Sequence, residues 1–189
     1  MIRNFDKTTQ ETLLELEKTQ KQFWNVARVT GEFLNLLIRT AKSKSVLELG
    51  TSNGYSGIWI GKALKETGGK LTTIEFYEKR IIPARENFEK CGVLDIITTL
   101  EGSAIKILEY MPEDAKFDFV FIDANKSETL RYFELIHPHL EAGGILAVDN
   151  VLSHEEKVRP FIEAIGEHPD YENVVLTLPA GLSLARKLR

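Results

Sequence analysis

Residues 46–57 read Val46-Leu47-Glu48-Leu49-Gly50-Thr51-Ser52-Asn53-Gly54-Tyr55-Ser56-Gly57. A short apolar run passes through a glycine turn into the opening of a helix. That is the form of a first strand in a doubly wound sheet, where ligands bind outside the carboxyl ends of the strands. The glycines are spaced G-x-x-x-G-x-x-G. The dinucleotide fingerprint G-x-G-x-x-G would need glycine at Ser52, so a nicotinamide coenzyme does not match. A phosphate-cradling loop fails as well, because Lys62 is followed by Ala63 and its spacing from Gly57 is one residue short. What remains is a tight turn that lets a ligand approach the backbone at Gly50, with Glu48 near the strand end. A second acid, Glu75, ends the next strand, where a carboxylate can accept hydrogen bonds from both hydroxyls of a ribose. Glu48 suits a cationic group such as the ammonium of an amino acid. Alone, Glu75 reads as a solvated strand end; behind the glycine turn it reads as part of a nucleoside site.

Outward from this turn the chain alternates short apolar runs with amphipathic segments. The runs are Ser45–Leu49, Lys70–Glu75, Asp95–Leu100, Phe117–Ile122, Gly144–Val148, Tyr171–Leu178 and Leu182–Arg186. Helical segments separate the first five, which predicts a parallel sheet covered on both faces. The helix carrying Ile81, Ile82 and Phe88 should stop at Cys91-Gly92, where glycine supplies the left-handed position after the last turn. Only Pro179-Ala180-Gly181 separates the last two runs, so they should form an antiparallel hairpin at a sheet edge. Before Ser45, Leu13, Leu14 and Leu16, then Phe23, Trp24 and Val26, make a broken helical stripe. A second helix is expected after Gly31, with Phe33, Leu34, Leu37 and Ile38 inward. Trp59 and Ile60 read as core. The expected architecture is a single α/β domain over residues 1–189, with a helical extension (1–44) ahead of the ligand-binding core (45–189).

Composition agrees with one folded domain. Of 189 residues, 43% are hydrophobic and 28% charged, which excludes disordered, collagen-like and coiled-coil classes. The net charge of −4 removes the usual electrostatic footprint of a nucleic-acid binder. The one cysteine, Cys91, excludes an internal disulfide and fits a reducing, cytoplasmic compartment. No apolar run approaches the roughly 20 residues of a membrane span, and the first ten residues lack a signal-peptide core.

Two further strand ends carry acids. Phe117–Ile122 leads into Asp123-Ala124-Asn125-Lys126, and Gly144–Val148 leads into Asp149-Asn150. The aspartates are one strand–helix–strand unit apart, which places both on the same rim of the sheet. Two carboxylates and an amide oxygen make a hard, all-oxygen donor set suited to Mg2+, Ca2+ or Mn2+ more than to zinc. Separately, Asp123 would pass for a helix cap and Asp149-Asn150 for a turn; together they favour a metal site. Lys126 lies one turn beyond Asp123, at the positive start of the next helix and near the expected cation. Both neighbours favour the neutral amine, the form that can take a proton. His137-Pro138-His139 looks like a metal pair but reads as a helix closure, because Pro138 breaks the geometry. His154 stands just past Asn150, within reach of an acceptor.

The ELGTSNGYS stretch resembles the cofactor site of class I S-adenosylmethionine-dependent methyltransferases. The two acidic motifs narrow the resemblance to the cation-dependent O-methyltransferases, the family of the catechol and caffeoyl-CoA enzymes, from about Val29 to Lys187. The resemblance implies a Rossmann-like fold with a seven-stranded, mostly parallel sheet, and methyl transfer from S-adenosylmethionine to a hydroxyl of a small aromatic acceptor. Asp123, Asp149 and Asn150 would hold the cation, Mg2+ first among candidates, and Lys126 would take the acceptor's proton beside Asp123. The cofactor residues it implies are Gly50, Thr51 and Ser52 in the turn, with Tyr55 and Ser56 beside the carboxylate end. To these it adds Glu48, Glu75, Asp123, and Ser103 with the Ala104 amide at the adenine. Val29-Thr30-Gly31 would cover the methionine part. A homodimer is the family's habit, and the N-terminal stripe could cover the active site or meet a second subunit.

Two departures bear on the acceptor. Leu178-Pro179-Ala180-Gly181-Leu182 lacks the acid that contacts the second hydroxyl in catechol enzymes. Asn125 stands where those enzymes carry an aromatic gate. Both point to a bulkier or more polar acceptor than a simple catechol. Two other readings stay open. One is methylation of a hydroxylated uridine in tRNA, through a patch of Lys18, Lys21 and Arg28 or of Arg39, Lys42 and Lys44. The other is a non-catalytic module that senses S-adenosylmethionine, although a sensor needs neither a metal site nor Lys126.

Overall fold

The computed structural model describes residues 2–189. The chain enters through α1 (Lys7–Lys18), a single turn α2 (Gln20–Phe23) and α3 (Arg28–Ala41). It then alternates β1 (Ser45–Leu49), α4 (Tyr55–Thr67), β2 (Lys70–Glu75), α5 (Glu78–Lys90), β3 (Ile97–Glu101), α6 (Ala104–Glu109), β4 (Phe117–Ile122), α7 (Thr129–Ile136) and β5 (Leu140–Asp149). Helix α8 (Glu155–Glu167) leads to the hairpin β6 (Tyr171–Leu176) and β7 (Leu182–Lys187). The seven strands lie in the order β3-β2-β1-β4-β5-β7-β6. β1 to β5 are parallel, while β7 pairs antiparallel with both β5 and β6. This is the doubly wound sheet with an antiparallel C-terminal hairpin that the apolar runs predict.

Alternation along the strands divides the core. Val46, Phe119 and Phe121 pack on one face with Leu34, Ile38, Trp59 and Phe88. Leu47, Leu49, Val120 and Ile122 pack on the other with Phe133 and Phe161. Strand order reverses between β1 and β4, so the crevice of the fold opens at their carboxyl ends. Three backbone bonds bring the strand exits level there: Gly50 N to Ile74 O, Gly102 N to Glu75 O and Asp123 N to Leu49 O, each 2.9 Å.

Several expected boundaries move, each for a local reason. Leu94–Ile96 form a 3-10 turn, so β3 begins at Ile97 rather than Asp95. β5 begins four residues early, at Leu140, with a register shift against β4 between Phe117 and Phe119. Helix α3 starts at Arg28 and runs through Gly31. A Cβ there would lie 2.5 Å from the Trp59 indole, so the glycine serves helix packing rather than a turn. Leu13 is fully buried in the chain's own core and Leu16 packs beside it, so this part of the N-terminal stripe is used internally. Asp6 caps α1 through Thr9 and reaches Lys62 of α4 at 2.8 Å. No helix among the described residues is long and apolar enough to cross a membrane.

Candidate active site

A cavity of about 760 Å3 lies at the carboxyl ends of β1, β2, β4 and β5 and beside the start of α6. Residues 23–27 and the Pro179-Ala180 turn complete its wall. The volume lies in the range of small-molecule sites.

The floor is the glycine turn. Gly50 has φ +100, and a Cβ on it would stand 2.2 Å from the Asp123 carbonyl oxygen. Only glycine lets the β1 exit run this close to the β4 exit. Gly54 and Gly57 serve packing instead. A Cβ on either would strike the Phe88 ring, so they seat α4 against α5. Ser52 also holds a left-handed backbone, φ 47. Its amide donates to Glu75 Oε2 at 2.8 Å, and its hydroxyl donates to the Phe23 carbonyl at 2.7 Å.

Glu75 sits on the cavity wall with Oε1 accepting from the Tyr77 amide at 2.9 Å. Each oxygen thus has one fixed amide donor and spare lone pairs toward the cavity, the arrangement that can receive a pair of ribose hydroxyls. Ser103 stands at the N-cap of α6 but makes no capping side-chain bond, and with Ala104 it lines the same end. Thr51, Tyr55 and Ser56 line the turn as well. Tyr55 Oη donates to Glu17 Oε1 at 2.8 Å, and Glu17 also holds Arg28, so the N-terminal helices are latched to the turn.

Two expected ligand residues lie elsewhere. Glu48 is fully buried behind the wall, not on it. It accepts from the hydroxyls of Ser56 and Thr73 at 2.6 Å each, and Thr73 lies 2.6 Å from Thr51. Burial pushes its carboxyl up to about 7 against those hydrogen bonds. Its place suits fixing Ser56 and Thr51 rather than meeting a ligand ammonium. Val29 points outward, 44% exposed, and is not part of the wall. The segment that reaches the cavity is Asn25-Val26-Ala27, because α3 begins one turn earlier than the Gly31 boundary implies.

At the other end, Asp123, Lys126, Asp149 and Asn150 converge. Lys126 Nζ lies 2.5 Å from Asp123 Oδ1. Asp149 is 2% exposed, and no hydrogen bond reaches its Oδ1. Burial, then the charge of Asp123, pushes the Asp149 carboxyl well above the usual carboxylate range. Asn150 holds φ 69 and donates from its amide to Ser153 Oγ at 3.2 Å. A buried carboxylate oxygen without a donor, a second acid and an amide oxygen fit a hard divalent cation, whose charge would answer both acids at once. Ser153 and His154 line the adjoining wall, 3.1 Å apart between Oγ and Nδ1.

The cavity also has an aromatic mouth; the sequence reading has Trp24 in a stripe that could cover the active site, but misses Phe76 and Tyr77. Trp24, Phe76 and Tyr77 line the cavity while staying 69%, 63% and 55% exposed. The Arg80 guanidinium lies over Trp24 at 4.5 Å and over Tyr77 at 5.2 Å. The doublet Phe76-Tyr77 directly after Glu75 is the signal that could have found it. His139 is buried and bonds the Ala115 carbonyl at 2.9 Å; it and His137 form the 3-10 turn that closes α7, as the proline between them implies.

Comparison with known proteins identifies the family. A sequence model of the O-methyltransferase family matches residues 5–188. Caffeoyl-CoA O-methyltransferase 1 of Eucalyptus globulus is 30% identical over 94% of this chain and 82% of its own length. A catechol O-methyltransferase of Niastella koreensis is 36% identical over 65% of this chain and 56% of its own. Among solved structures, an O-methyltransferase from Bacillus cereus in complex with SAH superposes with TM-score 0.86 at 29% identity, covering 96% of this chain and 91% of that one. The O-methyltransferase TomG from Streptomyces achromogenes, in complex with SAM, gives 0.85 at 27% identity, covering 97% and 91%. With its glycine turn, its anchored Glu75 and a match along almost its whole length, the chain belongs to the O-methyltransferase family.

Proposed function

We propose that this chain transfers a methyl group from S-adenosylmethionine to one hydroxyl of a vicinal diphenol, with a divalent cation at Asp123, Asp149 and Asn150. The observation that carries this reading is the buried, donor-less Oδ1 of Asp149, a residue that lines the same cavity as the Lys126–Asp123 pair and Glu75. The related caffeoyl-CoA and catechol enzymes support the acceptor class, and the SAM and SAH complexes of structural neighbours support the donor.

In this reading Glu75 receives the ribose hydroxyls, and Ser103 with the Ala104 amide meets the adenine. Thr51, Ser56 and the Asn25–Ala27 backbone hold the amino-acid end. Phe76 and Trp24 wall off the nucleoside from water. A phenol has a pKa of about 10, so little is ionised at neutral pH. A divalent cation held by Asp123, Asp149 and Asn150 would lower the cost of forming the phenolate beside them. Lys126 Nζ takes the acceptor's proton as a neutral amine; its 2.5 Å pair with Asp123 holds it in place but favours the charged form, a preference that a cation drawing on Asp123 would offset. Much of the remaining barrier is met by alignment of the two reactants in one cavity. The acceptor's outer wall is Asn125, Glu128, Ser153, His154 and the Pro179-Ala180 turn, which is polar. It suits a diphenol with a polar or bulky substituent.

The test is methyl transfer from labelled S-adenosylmethionine to a panel of substituted vicinal diphenols, with Mg2+ and then with chelator. The reading expects turnover that disappears with chelator and favours polar-substituted acceptors. Turnover indifferent to chelator contradicts the cation's role. Cofactor binding without transfer to any diphenol contradicts the acceptor class and turns the search to hydroxylated uridine in tRNA.

A further inference from the structure

At the edge of the sheet opposite the cavity, the end of α7, the α8–β6 turn and the end of β7 come together. His137 follows α7, while His168, Pro169 and Asp170 connect α8 to β6. One ligand atom from each of His137, His168 and Asp170 lies within 4.8 Å of the others. The imidazoles are 4.9 Å apart between ring centres. β5 begins at this edge and ends at Asp149; its residues 140–148 run beside only Phe117–Ile122 of β4, so about 20 Å of strand separates the cluster from the acidic rim.

The three groups are held in place by the surrounding backbone. His137 Nδ1 lies 3.1 Å from the Tyr171 hydroxyl, and its carbonyl accepts from Lys187 Nζ at 2.7 Å. The Asp170 amide lies 3.2 Å from His168 Nδ1, and its carbonyl accepts from the Leu188 amide at 2.7 Å. At His137 the outer bond between Nδ1 and Tyr171 leaves Nε2 for an ion, the usual setting of a ligating histidine, whereas His168 Nδ1 accepts from an amide and must release it to ligate through Nε2.

We propose that His137, His168 and Asp170 form a binding site for a borderline transition-metal ion such as Zn2+ or Ni2+. Two imidazoles with one carboxylate are a donor set for these ions, with the fourth position left to water. The flanking charges sharpen the choice. Lys187 and Arg189 both stand beside Asp170, so an ion held by charge alone, such as Mg2+, is disfavoured, whereas one that bonds strongly to nitrogen is not. Binding at Asp170 competes with Arg189, 2.6 Å away in an exposed pair of little net worth. Binding through His168 Nε2 moves that ring's proton to Nδ1 and gives up the 3.2 Å contact from the Asp170 amide. The bound ion would tie α7, the α8–β6 turn and the C-terminal hairpin together. None of this depends on the chain being a transferase.

The full chain, stripped with chelator and then freed of it, is titrated calorimetrically with Zn2+ and separately with Mg2+. Thermal unfolding is followed alongside. The proposal expects one Zn2+ equivalent and a rise in Tm of about 5–10 °C at a hundredfold excess over Kd. In His168→Gln and Asp170→Asn the affinity should fall at least about tenfold. In Asp149→Ala, which removes an acid of the other site, this Zn2+ equivalent should remain. Co2+ should give the intense visible bands of tetrahedral coordination in the wild type and not in His168→Gln. Absence of a Zn2+ equivalent, unchanged affinity in Asp170→Asn, or loss of the equivalent in Asp149→Ala alone would each overturn it. Asp170→Asn keeps the side chain's shape, so it remains informative if His168→Gln fails to fold.

Discussion

The two ends of the cavity are built from the same material, an acid at the end of a parallel strand, and are finished in opposite ways. At the nucleoside end every carboxylate oxygen has a fixed donor: turn amides for Glu75, threonine and serine hydroxyls for Glu48. At the acidic end Asp149 Oδ1 has none, Asp123 leans on Lys126, and Asn150 holds a left-handed backbone. Satisfied acids make a rigid frame that can read neutral hydroxyls at little cost of reorganisation. Unsatisfied buried acids are costly until a cation arrives. The difference comes from the neighbours, not from the acids. Turn geometry supplies donors beside β1 and β2, whereas β5 ends among apolar side chains and a second aspartate.

Substitutions at each end should therefore separate chemistry from cofactor binding. The largest effect is expected for Lys126→Met. Turnover should fall about 10²–10⁴-fold while SAH affinity by calorimetry stays within about threefold; a parallel loss of affinity would erase the distinction. Glu75→Ala removes the receptor for two hydroxyls and leaves two amides without their acceptor. SAH affinity should weaken about 10–100-fold, with residual turnover at saturating cofactor still dependent on cation.

Glu48 tests the frame itself through pH. Its carboxyl ionises near 4.5 when unfolded and is raised to about 7 when folded. Its contribution is therefore full below pH 4.5 and is lost as pH rises toward 7, an effect of up to about 3 kcal/mol. Urea unfolding of Glu48→Gln should lack this part of the decline; the wild-type slope retained in full would place the titration elsewhere. The smallest effect is expected at the aromatic mouth. Trp24→Ala removes the Arg80 stack, worth about 0.5–1 kcal/mol, and should weaken SAH only two- to fivefold without changing the cation requirement.

Much of this site is legible in the sequence because strand ends punctuate it. β1, β2 and β4 begin and end where their apolar runs do, since glycine or charge bounds each run. Asp123 and Asp149 follow from that punctuation and from the length of one crossover. The harder positions depend on which way a side chain turns. Glu48 lies between Leu47 and Leu49 and must face opposite to them, toward α4, where Ser56 and Thr73 meet it. Strand alternation carries that signal, although the strand-end position suggests a ligand contact. Val29 enters through a resemblance of Val29-Thr30-Gly31, and the structure sets it outside the cavity wall because α3 runs through Gly31, where only the Trp59 ring explains a glycine inside the helix. The closure of α7 at His137 is local and legible. Its meeting with His168 and Asp170 is a tertiary contact between residues 31 and 33 positions apart, and no local pattern announces it.

The division of labour between the two ends is tested most directly by Asp149→Ala, assayed for Mg2+-dependent methyl transfer and for SAH affinity on the same preparation. Transfer should fall at least about a hundredfold while SAH binds within about threefold of wild type. Equal losses in both, or transfer that survives and still responds to Mg2+, would contradict it.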